Sequence, residues 1–267
     1  MANVYIGTSG WNYRQWRGSF FPADLPTKRW LPFYASRFDS VEVNYTFYRL
    51  PSKETCEAWY RQTPEKFRFV VKASRYLTHI KRLRGARKSW DDFLERVLVL
   101  KEKLGPILFQ FPSNFRATEA NLQSIDEFLE YAGRSASSHL ALEFRDRSCF
   151  GPEMLALLRS HRAALVISQS SKYPVPEVIA TSDFVYFRFH GPREMFASSY
   201  SDSELGQWAN KMNAFLRAGH DVYAYFNNDS GGHAPPNGQV LIRELQSLRP
   251  ELNEHPSEQD FTALPNR

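Results

Sequence analysis

The chain has 267 residues, 42% of them hydrophobic and 24% charged, with a formal net charge of +5. That length suits one α/β barrel better than two ordinary domains, and the hydrophobic share is enough to bury a large core. The composition excludes wholesale disorder, and no apolar run approaches the length of a membrane span.

Eight short apolar runs follow one another along the chain, at residues 4–10, 40–47, 68–74, 106–112, 139–145, 163–168, 184–191 and 221–229. The first begins almost at once, which leaves no room for a signal peptide ahead of it. Amphipathic stretches of helical length separate most of them. Residues 53–62 form the first. Residues 89–104 are the clearest, with Phe93, Val97, Leu100 and Leu104 at helical spacing. Residues 119–132 set Leu122, Ile125, Phe128 and Leu129 on one face. Residues 152–161 open on a proline, favoured in a first turn. Residues 201–218 open on Ser201 and Glu204, the two members of a capping box. Residues 237–248 close the series. The link 169–183 is short and carries Pro174 and Pro176, so its helix is expected to be reduced or lost. Two cysteines, Cys56 and Cys149, stand far apart without metal-ligand spacing, and a reducing, cytoplasmic setting is the simplest expectation.

The order of elements predicts the α/β class and a single closed (β/α)8 TIM barrel over residues 1–249. The polar stretch 250–267 reads as a loosely ordered tail. An open doubly wound sheet is the rival architecture. Against it, the first strand turns on Gly7-Thr8-Ser9-Gly10 and not on a GxGxxG loop.

Alternate strand residues face opposite sides, so parity sorts the runs. With Val41, Val43 and Tyr45 toward the helices, Glu42, Asn44 and Thr46 point into the barrel. Phe69 and Val71 outward turn Lys72 and Ser74 inward. The same rule turns in Gln110, then Glu143 with Arg145, then Arg188 with His190. In the last run Tyr223, Tyr225, Asn227 and Asp229 share one face. Burying such charges costs several kcal/mol unless they are paired. Glu42, Glu143 and Asp229 oppose Lys72, Arg145 and Arg188. Two readings therefore stay open, a catalytic mouth and a structural ion-pair network.

In the catalytic reading Glu42 and Glu143 are the acid/base candidates, and His190 shuttles a proton or orients a carboxylate. Lys72, Arg145 and Arg188 hold an anion. Asn44, Gln110, Asn227 and Asp229 position the ligand. No cofactor is predicted. A divalent metal on Glu42, Glu143, His190 and Asp229 has no HxH, HExxH or CxxC spacing behind it. The turn 228–233 carries two glycines and offers a phosphate-binding loop or an ordinary turn. Between residues 66 and 90 there is no Asp or Glu but nine Lys or Arg, so the loop 75–88 puts positive charge beside the mouth. Trp11, Tyr13, Trp16, Phe47 and Tyr48 crowd the same end, where they either stack on a ligand or plug the barrel.

Ordered motifs run through the chain. They are GTSGWNY at 7–13, FFP at 20–22, VEVNYTFYRLP at 41–51, FVVKASRYLTH at 69–79, LGPILFQFP at 104–112 and EFR at 143–145. DFVYFRFHG at 183–191 follows, then YAYFNND and HAP within 223–235. In these pieces the chain resembles the YecE-like family, a domain of unknown function, up to about residue 248. The resemblance implies a TIM barrel and no particular activity. Through likeness to metal-dependent DNA-repair and sugar-isomerase barrels it makes nucleic acids and sugars candidate ligands. The chain departs from the family pattern at Asp146 and Cys149, where relatives often carry His and Trp. It departs again at Gln169, where many carry Asp, and this weakens a metal site at strand six.

The leading expectation is an enzyme, of hydrolase, lyase or isomerase type, acting on a phosphate-bearing or sugar-like ligand at the mouth. The alternatives are a nucleic-acid-binding or repair-related protein and a non-catalytic binding barrel. The expected partner is an anionic small molecule or a nucleic acid, and no membrane.

Overall fold

The computed structural model describes residues 2–134, 139–173 and 175–250. Eight strands appear in the order read from the runs: β1 Val4–Thr8, β2 Ser40–Val43, β3 Arg68–Lys72, β4 Leu104–Gln110, β5 Leu140–Glu143, β6 Ala164–Gln169, β7 Phe184–Phe189 and β8 Asp221–Phe226. All ladders are parallel: β2 through β8 each pair with the next strand in sequence, β8 pairs with β1, and β1 meets β2 through an isolated bridge. The helices are α1 Trp30–Ala35, the one-turn α2 Tyr45–Tyr48, α3 Lys53–Arg61, α4 Arg87–Val97, α5 Glu119–Arg134, α6 Pro152–Ser160, α7 Asp202–Arg217 and α8 Ala234–Leu248. Ser201 and Glu204 form the expected capping box at α7. No helix lies among the described residues of the β6–β7 link. The expected tail lies, beyond Pro250, outside the described residues. Among the described residues no helix is long and apolar enough to cross a membrane.

Period-two alternation produces two separate cores. Outward residues such as Val41, Phe69, Phe109, Leu142, Phe187 and Phe226 pack under the helices. Inward residues, among them Val70, Leu108, Val166, Tyr186, Tyr223 and Tyr225, fill the barrel itself. That filling occupies the lower and middle barrel and leaves the C-terminal end to the polar residues.

The β1–β2 seam closes differently from the others. Its one bridge joins Ser9 to Glu42. Below it the Tyr34 hydroxyl accepts from Thr8 N at 2.8 Å and donates to Ser40 O at 3.0 Å. Gly7 is required there, because a Cβ at that position would lie 2.0 Å from Ser40 O.

Several strand ends are corrected. The second run was expected to stay extended to residue 47, but β2 stops at Val43 and Tyr45 begins α2. The cause is local: Thr46 Oγ1 donates to Lys72 O at 2.6 Å and to Val43 O at 2.9 Å, which curls the chain across the end of β3. The helix expected over 89–104 ends at Val97. A 3₁₀ stretch follows, with Lys101 at φ 50°.

Gly7→Ala is expected to lose about 3 kcal/mol of stability, because the seam would have to open around the methyl group. Urea denaturation measures this, and an unchanged midpoint would contradict the seam geometry.

Candidate functional site

The centre of the mouth is Arg188, inward-facing near the end of β7 and 1% exposed. Its Nε donates to Glu42 Oε2 at 2.9 Å and its Nη2 to Glu42 Oε1 at 2.6 Å. Its Nη1 donates to Glu143 Oε2 at 2.5 Å. One guanidinium thus ties β2 and β5 to β7 across the barrel. Glu42 also accepts from Ser9 Oγ at 2.7 Å and from the Tyr186 hydroxyl at 2.7 Å. Burial alone would raise the Glu42 pKa, but Arg188 outweighs it and holds the carboxyl below its usual range. The same balance holds Glu143 well below that range, with His190 and Arg145 assisting. Arg188 is correspondingly driven further toward its charged form against the cost of burial.

Glu143 keeps its second oxygen less committed. Glu143 Oε1 lies 3.6 Å from His190 Nε2 and 3.7 Å from Arg145 Nε. His190 is buried, and the Asn227 amide meets its Nδ1 at 3.1 Å. With Asn227 donating, the ring proton belongs on Nε2, facing Glu143. Nε2 makes no hydrogen bond among the described residues. Burial lowers the His190 pKa, against the pull of Glu143, and keeps the ring neutral.

Lys72 ends β3 and is 8% exposed. Its ammonium stands 4.4 Å from the centroid of the Phe47 ring. Among the described residues no carboxylate lies within 4.0 Å of it. Burial first, then Arg188, lowers its pKa to about 8, with Glu42 and Glu143 opposing. His79, on the π-helical turn Tyr76–Ile80, packs edge-on against Phe47. Partial burial and the charges of Lys72, Arg75, Arg145 and Arg82 push His79 down to about 4. The expected basic loop therefore folds partly as this turn, and it does bring positive charge to the mouth.

The remaining expected site residues have partners of their own. Gln110 Nε2 donates to Phe111 O at 2.6 Å, and Asn44 Nδ2 donates to Ser9 O at 3.2 Å. The side-chain oxygens of Gln110 and Asn227 accept no hydrogen bond among the described residues. Asp229 is not part of the ion network. It accepts from Trp16 Nε1 at 2.5 Å and Gln15 Nε2 at 2.8 Å, pinning the loop after β1 to the loop after β8. Burial, opposed by those two bonds, raises its pKa to about 6. Trp11 packs edge-on against Trp59 of α3. Tyr13 packs against Trp16 and donates to Ser9 O, so these rings support the wall. In the Gly-Gly turn, Gly232 N donates to Asp229 O and Ser230 N to Phe196 O, so two amides of the expected phosphate loop are already used.

Glu42, Glu143, His190 and Asp229 do not share a ligand position, and no group of three or more His, Cys, Asp or Glu suited to a metal occurs among the described residues. Sequence reasoning missed Ser9 and Tyr186. The parity of Tyr186 matches Arg188 two residues later, and that signal was available. The Gln15 and Trp16 contacts with Asp229 had no periodic signal.

Arg188→Met is expected to destabilise the fold by about 3–5 kcal/mol, because two carboxylates would stay buried without their partner. Adding Glu42→Gln should recover part of that loss in the same chemical denaturation series. A single variant as stable as the parent would rule out the clamp.

The family model described as "Protein of unknown function DUF72" matches residues 5–260. YunF of Bacillus subtilis is 28% identical over 91% of this chain and 94% of its own length. YecE of Escherichia coli K12 is 25% identical over 95% and 97%. The crystal structure of a DUF72 family protein from Thermotoga maritima superposes with a TM-score of 0.81 at 29% identity, covering 91% of this chain and 99% of that one. The barrel, its order of elements and this breadth of match together show that the chain belongs to the DUF72 family.

Proposed function

We propose that this barrel is an enzyme whose mouth takes a phosphate-bearing, sugar-like ligand, held chiefly by Lys72 and Arg145. One observation carries the reading. At the mouth the buried Lys72 and Arg188 and the partly exposed Arg145 face two buried carboxylates, Glu42 and Glu143, with His190 neutral, while the buried Asp229 is held apart by Trp16 and Gln15. Arg188 is satisfied by both carboxylates and Arg145 Nε lies 3.7 Å from Glu143, which leaves Lys72 as the cation of this set with no ion-pair partner among the described residues. Arg75 and Arg82 extend the positive field outward from it. A ligand anion supplies the missing negative charge. The open acceptors of Gln110 and Asn227 suit hydroxyl groups on such a ligand.

The expected acid/base pair is revised in this reading. Both oxygens of Glu42 are committed to Arg188, Ser9 and Tyr186, so Glu42 acts as a positioning residue. Lys72, with its pKa near 8, is the group able to exchange a proton at neutral pH, and Glu143 with His190 is the second.

A nucleic-acid reading has its own support. Tyr45, Tyr48 and Tyr76 stand exposed on the same rim, with Lys81 near Tyr76. Exposed rings among cations suit stacked bases of a single strand. Fluorescence anisotropy of a labelled oligonucleotide tests it: tight, steeply salt-dependent binding would favour it, and no binding at low salt would remove it.

Lys72→Met tests the leading reading by two linked effects. The folded pKa of Lys72 lies below its unfolded value, so the unfolded chain holds more protons between about pH 8 and 10.5. The cost of burying the charge is complete below pH 8 and fades as pH rises toward 10.5. Lys72→Met is therefore expected to stabilise the protein at pH 7 by about 2–3 kcal/mol, with the gain shrinking by pH 10. The same variant should lose inorganic phosphate binding in calorimetry. A variant that is destabilised at pH 7 and still binds phosphate would defeat the reading.

A further inference from the structure

The two lysines buried among the described residues, Lys72 and Lys103, are handled in opposite ways. Lys103 donates to Tyr60 O at 2.6 Å, to Thr63 O at 2.7 Å and to Thr63 Oγ1 at 3.4 Å, the full set that an ammonium needs when it leaves water. Lys72 is nearly as buried, yet its amine makes no hydrogen bond and no ion pair among the described residues. What faces it is the Phe47 ring, the charges of Arg188 from β7, Glu42 from β2, Glu143 from β5 and Arg145 just beyond that strand, and the neutral His79 ring from the turn after β3. The bonds of Lys103 are closed within the protein, whereas Lys72 Nζ is not among the sealed polar atoms that lack a partner, so its donors are open to water or a ligand at the mouth. A largely buried amine beside another cation is the environment that produces nucleophilic lysines.

We infer that Lys72 is an amine nucleophile that condenses with the carbonyl carbon of an aldehyde or ketone phosphate ester. The inference rests on the phosphate reading of the same site and narrows its substrate to carbonyl compounds: Lys72 attracts the anion when protonated and reacts when neutral, while Arg145 and the outer arginines keep the phosphate. The neutral amine places its lone pair on the carbonyl carbon as the C=O π pair moves to oxygen, and a proton passes from that nitrogen to the oxygen, giving a carbinolamine. Loss of that oxygen as water leaves an iminium linkage to Lys72 Nζ. Glu143 and His190 stand on the neighbouring side of the mouth to move the protons, and Arg145 with the outer arginines receives the phosphate. The iminium then draws electrons from the adjacent carbon, which permits proton abstraction or carbon–carbon cleavage there.

The proposal is tested on the intact chain with glycolaldehyde phosphate, with glycolaldehyde as control. Sodium borohydride traps the linkage as a secondary amine, and peptide mapping locates it. Inorganic phosphate binding is measured by calorimetry on the same preparation. At pH 7 a lysine with its pKa near 8 carries a few hundredfold more free amine than an ordinary one, so Lys72 should be labelled well ahead of the surface lysines. Labelling should rise through pH 8, favour the phosphate ester and be slowed by inorganic phosphate. Bound phosphate with Lys72 left unmodified would overturn the nucleophile and leave the anion site standing. Equal labelling by both aldehydes, with no phosphate bound, would overturn the phosphate-ester substrate. Lysines modified at random, again with no phosphate bound, would overturn both.

Discussion

The clamp of Arg188 on Glu42 and Glu143 is the interaction around which the mouth is organised. Three of the five guanidinium protons are used on two carboxylates from strands on different sides of the barrel. A buried pair of this kind contributes little net stability over an apolar filling, yet breaking it is costly. Ser9 and Tyr186 complete the coordination of Glu42, so that carboxylate has no capacity left for a ligand. The consequence for function is subtractive. Once Arg188 is taken up, the positive charge available at the mouth belongs to Lys72 and Arg145.

The scaffold explains why the charges collect there. Tyr186, Tyr223 and Tyr225 fill the barrel interior below the clamp. Water is thereby displaced from beneath the polar layer, and burial moves the pKa of Lys72 down and that of Asp229 up. Asp229 answers a different need. By accepting from Trp16 and Gln15 it fixes the first loop over the β1–β2 seam, where the ladder is reduced to a single bridge. The carboxylates of this end thus divide between holding the barrel shut and holding Arg188 in place.

Strand parity was enough to place Glu42, Lys72, Gln110, Glu143 and Arg188 on the inner face, because the side-chain alternation of a strand is geometric. It could not say which charge meets which. Partners such as Arg188 with both glutamates depend on side-chain length and on the tilt of strands across the barrel, and neither is written in a local pattern. Parity also failed where hydrogen bonds of Thr46 curl the chain after Val43, since it assumes that the strand continues. The rings of Trp11 and Tyr13 showed that aromatics crowd the mouth. Whether they face a ligand or the wall is decided by Trp59 and Trp16, which arrive from elsewhere in the chain.

Everything proposed for the mouth turns on Lys72 being a buried amine without a carboxylate partner among the described residues. Its titration can be followed directly by nuclear magnetic resonance of protein carrying isotope-labelled lysine side chains, with Lys72 assigned by substitution. The account predicts a midpoint near 8, moving upward when inorganic phosphate is added. A midpoint at the ordinary lysine value of about 10.4, unmoved by phosphate, would contradict it.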